Sequence, residues 1–446
     1  MIYPSAVEPL LLQFSFAFTE PTFQRFGVLM LSAILTTGRR TVSNLLRTAP
    51  LVVPGHASSY HRVFSRRRWS LWKLGYVLVY CILYYLVPEG PVYLAVDDTV
   101  DEHRGKKVYG KACHRDAVRS THSFTAYRWG HKWVVVAILV PLPFTNRPWA
   151  MPVLVALYHS KEWNKKHGRR HKTPPEIARQ LLAVLLRWFP ERKFILAGDG
   201  GFSTHDLAFS AQQRSQRATL VGRFYPKANL YAPPPPHRGR GRPRKKGRKL
   251  ARPETVVART KKRTRLTVRW YGGQSRKVAI VTGTGHWYKG GQGLVEVRWI
   301  FVHDLSGTHR DEYFFSTDVT MTPKQIIEIF TGRWSIEVMF EEMRAYLGLE
   351  TTRGRKRETV LRMVPCLFGL YSVTVLLYVW LPEKDRLAAT VAWVGKSTVT
   401  FSDALTCVRR WLWREWVFET CGHTAAFSKL PPDFRDLVCY ALAPAA

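Results

Sequence analysis

Apolar residues recur at helical spacing from Phe23 to Leu35, and Gly38 closes that run. Two shorter helical stretches follow, Thr41 to Arg47 and Ser58 to Phe64, so residues 1 to about 88 form a helical region. The second, within SSYHRVFSRRRW, carries Ser, Tyr, His and Arg with little apolar content. Such a helix suits either a DNA groove or an ordinary solvated surface. From Gly90 the period changes. PVYLAVDD (91–98), WVVVAILVPL (133–142), KFILAGDGGF (193–202) and ATLVGRF (218–224) are apolar runs with the length of buried strands. A helix over about 174–189 is announced by Thr173 and Glu176 at capping-box spacing, with Pro174 at its first position. Strands interleaved with helices indicate an α/β core.

Residues 226–316 interrupt this alternation. They open with Pro233 to Pro236 and the segment HRGRGRPRKKGRK. Eight of the twelve residues from Arg238 to Lys249 are Arg or Lys, and none is acidic. LTVRWYG, KVAIVTG and LVEVRWIFV then have strand character, which makes this stretch a β-rich insertion carrying a basic loop. From Thr322 the helical period returns. Thr322, Pro323 and Gln325 mark a helix start, and the helix is expected to run to about Leu347, before Gly348. Met363 to Leu381 is a stretch of 19 residues without a charge, at the lower edge of membrane-spanning length and expected as a buried core helix. The expected organisation is therefore a helical region over 1–88, a core over 89–225 and 317–383, the insertion over 226–316, and a Trp-rich helical region over 384–446.

Charge changes the picture most. The formal net charge is +36, which calls for a polyanionic partner, nucleic acid before membrane. With 46% hydrophobic residues the chain has ample core-forming material, which excludes a disordered tail protein. The six cysteines form no CxxC pair, so neither a zinc ribbon nor a dithiol redox site is indicated. The N-terminus lacks a basic segment followed by a small-residue cleavage site, and no signal peptide is expected.

In so basic a chain the acids are informative. Asp97, with Asp98 beside it, follows the apolar run VYLAV, and Asp199 follows FILAG. Carboxylates at the carboxyl ends of neighbouring parallel strands point into one crevice. The third acid is Glu337. At about 100° per residue, Phe330, Arg333, Glu337 and Arg344 fall in one helical stripe about 60° wide. Taken alone, Arg333 and Glu337 are an ordinary i,i+4 pair. Taken together, three carboxylates suggest a two-metal phosphoryl-transfer site, with the arginines holding phosphates.

At this point the sequence resembles the DDE-type transposases of bacterial insertion sequences, in the branch with a Tyr-x2-Arg-x3-Glu-x6-Lys signature. Here it reads Phe330-x2-Arg333-x3-Glu337-x6-Arg344; Phe for Tyr loses a hydroxyl and Arg for Lys keeps the charge. Asp97-Asp98-Thr99 matches the family's first Asp two residues before Ser or Thr, with Asp98 as a rival ligand. The resemblance implies an RNase H-like core and catalytic, metal-ligating roles for Asp97, Asp199 and Glu337. It implies two Mg²⁺ ions, with Mn²⁺ able to take their place. It also implies double-stranded DNA partners (terminal inverted repeats and target DNA), a homodimer joining two element ends, and a cytoplasmic, nucleoid-associated location with no membrane.

Phe330, Arg333 and Arg344 are the DNA-contacting residues this implies beside the acids. Arg242, Arg244, Lys245 and Lys246 are further candidates, either lying in a minor groove or serving as a flexible basic linker. Trp270, Trp287 and Trp299 are expected as sheet-core aromatics. His114, His122 and His131 fit no recognised ligand spacing. The competing readings are another RNase H-like nuclease and a domesticated, non-catalytic DNA-binding protein.

Overall fold

The computed structural model describes residues 3–116, 120–121, 123–236, 242–388 and 394–444. Its strands are β1 (Val92–Glu102), β2 (Ala112–Arg115), β3 (Tyr127–Val140), β4 (Trp149–Tyr158), β5 (Phe194–Gly198), β6 (Ala218–Arg223), β7 (Leu230–Tyr231), β8 (Thr264–Arg269), β9 (Ser275–Lys289), β10 (Gly293–Asp304) and β11 (Glu312–Ser316). All belong to one mixed sheet. β1 pairs antiparallel with β3 and parallel with β5, β5 pairs parallel with β6, and β4 pairs antiparallel with β3. The resulting row β4-β3-β1-β5-β6 is the strand order of the RNase H-like core that the sequence implied. β5, FILAG, is buried on both faces, which is why it reads as a continuous apolar run rather than an alternating one.

The β-rich stretch after β6 extends this same sheet. β11 returns beside β6, β10 and β9 follow, and β7 and β8 both pair with β9. β4 was not anticipated from sequence. Pro152 interrupts it, and the β3–β4 register shifts there between Val136 and Ala137. Proline removes a ladder donor and is tolerated at such a bulge, which hides the strand pattern.

Helices cover the sheet. The N-terminal region folds as Glu20–Leu35, Val42–Thr48, Ala57–Ser65 and Leu71–Leu86. In Ala57–Ser65 the residues Tyr60, Val63 and Phe64 turn into the core while His61 and Arg62 stay exposed. Among the described residues, Arg357–Trp380 alone is long and apolar enough to cross a membrane. It lies inside the protein instead: Ser372 donates to the Pro152 carbonyl at 2.8 Å, and Phe401 stacks on Tyr371 with ring centroids 4.0 Å apart.

The C-terminal region is helical, led by Phe401–Leu412. Its Arg409 is buried and donates to the carbonyls of Ile34 at 2.8 Å and Thr36 at 3.3 Å. Those carbonyls are the ones left open at the end of Glu20–Leu35, so a distant arginine caps that helix.

Candidate active site

Asp97 and Asp199 are brought together by the parallel pairing of β1 and β5. The pairing ends at Val96 opposite Gly198, and each aspartate is the next residue. Gly198 makes the junction possible. A Cβ there would stand 2.7 Å from Phe202 Cβ and 3.3 Å from Val96 Cγ1. Gly198→Ala should therefore cost about 1–3 kcal/mol through overpacking, read as a lower urea midpoint at unchanged slope. The Asp199 carboxylate is fixed by the backbone N–H groups of Gly201 (2.9 Å) and Phe202 (3.2 Å).

β1 does not stop at the acids; it continues to Glu102 along β3. Alternation along that strand separates Asp97 from Asp98. Asp98 shares a face with Lys132, which ion-pairs with it at 2.8 Å. Asp97 faces the other way and meets Arg333 at 3.1 Å. Arg333 also pairs with Glu337 at 2.8 Å, so one buried guanidinium joins two of the three acids.

The expected single helix over 322–347 is two helices, Pro323–Gly332 and Ser335–Tyr346. At the junction the N–H groups of Ile336 and Glu337 reach back three residues, to Arg333 and Trp334. One expected contact is overturned in the first of these helices, where the Arg333 guanidinium lies over the Phe330 ring at 5.5 Å. Phe330 does not reach DNA: it is fully buried against Phe314, with ring centroids 4.3 Å apart, in the core under β6 and β11. Arg344 stays beside the site, donating to the Thr99 hydroxyl and to Glu350 at 3.2 Å.

Charge is crowded here. Burial pushes the Asp97 carboxyl up to about 7; Arg333 pulls the other way, and Asp199 and Asp98 push it higher. Burial also raises Asp98, opposed by Lys132. Burial disfavours the Arg333 cation, yet Asp97 and Glu337 hold it above its ordinary value. Among the described residues no three His, Cys, Asp or Glu side chains stand close enough to grip an ion as they are, because Arg333 stands between Asp97 and Glu337. The donor set nonetheless fits a hard divalent cation. It is all carboxylate, and Asp97 and Asp199 each stand one residue past the paired Val96 and Gly198 of adjacent parallel strands.

The basic loop lies at the far end of the sheet from these strands, beside β7 and β9. Arg238, Arg240 and Gly241 lie outside the described residues. Arg242, Arg244 and Lys245 are exposed. Lys246 is held over the rings of Tyr231 (4.3 Å) and Tyr288 (4.6 Å), and the Gly247 N–H donates to the Ala232 carbonyl, so this half of the segment is anchored. Trp270 and Trp299 are buried in the sheet, and Trp287 packs on Phe224, Phe315 and His205. His114 and His131 are buried, and His122 lies outside the described residues.

Two residues at the site escaped the sequence reading. Lys132 heads the apolar run of β3, where nothing local marks it as a partner for Asp98. Glu350 has a φ of 81°, rare for a side-chain-bearing residue, and accepts from Arg128 (3.1 Å) as well as Arg344.

Comparison with known proteins adds the family. The DDE superfamily endonuclease family matches residues 13–277. The chain belongs to the DDE superfamily of endonucleases. Archaeal ISC1217 transposases match residues 257–372, a stretch holding both helices of the glutamate block. No curated protein matches. Among solved structures, the piggyBac transposase synaptic complex with hairpin DNA is similar over 97% of this chain and 85% of that one, at 11% identity and a TM-score of 0.43. As a DDE superfamily member the protein is a nuclease-type enzyme.

Proposed function

We propose that this DDE superfamily protein is an insertion-sequence transposase that cuts DNA at the element ends and joins the freed 3′-OH strand to target DNA. The observation carrying the reading is the meeting of Asp97 and Glu337 on one buried arginine, beside Asp199, in a chain of net charge +36. Asp97, Asp199 and Glu337 would hold Mg²⁺, two ions by the chemistry of in-line displacement, with Mn²⁺ as a substitute. Bound there, the cations supply Lewis acidity to the attacking and leaving oxygens.

The chain's own groups do the rest. Asp199, fixed by two backbone N–H groups, presents one carboxylate edge to the crevice. Arg333 neutralises the acids until a phosphate and cations enter, then turns to the phosphate bidentately. Arg344, steadied by Glu350, adds a second phosphate contact. We assign residues 1–88 to the element ends, 89–225 with 317–383 to catalysis, and 226–316, with the exposed Arg242, Arg244 and Lys245, to DNA backbone contact; 384–446 buttresses the core. The active species is a homodimer joining two double-stranded ends at the nucleoid.

The test uses the DNA flanking the gene. A labelled fragment bearing a terminal inverted repeat is incubated with purified protein in Mg²⁺ and in EDTA. Mg²⁺-dependent cleavage at the repeat boundary is the expected result. Cleavage indifferent to the repeat would assign the protein to the RNase H-like nucleases instead, and specific binding without cleavage to a domesticated DNA-binding protein.

A further inference from the structure

β3 carries two exposed aromatic rings beyond the acids. Tyr127 is 68% exposed and Trp129 59%. Both lie on the face that bears Asp97, because Asp97 pairs with Val135, Thr99 with Trp133 and Asp101 with His131, and the alternation continues to Trp129 and Tyr127. Trp129 stands about 20 Å along the strand from the Asp97 register, past the end of β5. The neighbouring strand β2 adds Cys113 opposite Trp129 and Arg115 opposite Tyr127, both exposed.

Cations surround the rings. The Lys111 ammonium sits over Trp129 at 5.4 Å from the ring centroid. The next layer comes from the segment after the glutamate helix, where exposed Arg353 and Arg355 run beside the loop after β1; the Tyr109 N–H donates to the Arg355 carbonyl at 3.0 Å. Burial, then the charges of Arg353, Lys111 and Arg355, hold His103 below its usual pKa, and the His103 N–H is bonded to the Trp129 carbonyl at 3.0 Å. The positive field and the rings therefore share one surface.

This composition distinguishes between occupants. Trp, Tyr and Arg also serve protein–protein interfaces, but like charges gathered on a chain of net charge +36 favour a polyanion. A closed duplex offers phosphates but no base face for an exposed ring. Rings on a strand flanked by cations match unpaired bases on a charged backbone. We propose that this face of the β2–β3 hairpin binds single-stranded DNA leading away from the acids, with bases stacked on Trp129 and Tyr127 and phosphates held by Lys111, Arg115, Arg353 and Arg355. The proposal rests on the transposase reading and names a subsite for the strand that cutting leaves unpaired.

The test compares a fluorescent oligonucleotide as single strand and as duplex, with a 2-aminopurine in the single strand reporting stacking. Trp129→Ala should weaken single-strand binding about tenfold or more and abolish 2-aminopurine quenching, with duplex affinity within about twofold. Trp129→Phe should restore most of the loss. Lys111→Ala with Arg115→Ala should flatten the salt dependence of single-strand binding by about 0.7 per charge. Equal losses for strand and duplex, or unchanged quenching, overturn the proposal, as does a Trp129→Ala protein whose light-scattering mass is halved. Wild-type cleavage is measured alongside. Cleavage with unaltered Trp129→Ala binding removes only the platform, whereas wild-type protein that neither cleaves nor binds removes the transposase reading as well.

Discussion

Asp97→Asn, Asp199→Asn and Glu337→Gln are each expected to lower Mg²⁺-dependent cleavage by at least about a hundredfold, with binding to the same DNA kept within about threefold. Outer-shell partners of metal ligands already cost about 10–100-fold when lost, and a ligand should cost no less. The substitutions are nearly isosteric, so each removes charge and donor strength while leaving volume in place. Asp98→Asn is the internal control. Asp98 shares the face of Lys132, away from Arg333 and Glu337, and its loss should leave cleavage within about fivefold. Cleavage on a labelled end, gel shift on the same end and a melting curve for each variant decide the matter. If Asp98→Asn were inactive and Asp97→Asn active, the first acid would have been assigned to the wrong face.

What was legible in the sequence was local. The run FILAG with its following Asp identified β5, since a strand buried on both faces is apolar at every position. Both capping boxes hold as spelled, Thr173 with Glu176 and Thr322 with Gln325, because reciprocal bonds three residues apart need no tertiary information. The signature residues Arg333 and Glu337 do meet, since an i,i+4 pair is also local. The failures lie where tertiary structure overrides the period. A helical wheel places Phe330 with Arg333, and the guanidinium does lie over its ring at 5.5 Å, but the wheel does not say which edge of that stripe the sheet covers, and Phe330 packs against Phe314 in the core. Pro152 concealed β4. The joining of Asp97 to Arg333 spans 236 residues and depends on sheet register, which no window of sequence contains.

Arg333→Ala is expected to be the most destabilising single change at the site, by about 3–5 kcal/mol, because removing one partner of a buried pair strands the other charge. The buried members are Arg333 and Asp97, whose side chains are only 7% and 18% exposed; Glu337, at 44%, contributes little to the sum. The effect should be visible as a melting temperature several degrees lower. A double-mutant cycle separates charge from packing. Asp97→Asn in the Arg333→Ala background should recover a large part of the loss, since an amide needs no counter-charge, whereas a packing defect would persist. Mg²⁺ offers a second separation, independent of catalysis. An ion binding the folded state stabilises it by mass action. It should therefore raise the melting temperature of Arg333→Ala more than that of wild type, where the guanidinium competes for the same carboxylates. A melting curve that ignores both the second substitution and Mg²⁺ would mean that Arg333 holds the helix junction by shape, and that its pairing with the acids is incidental.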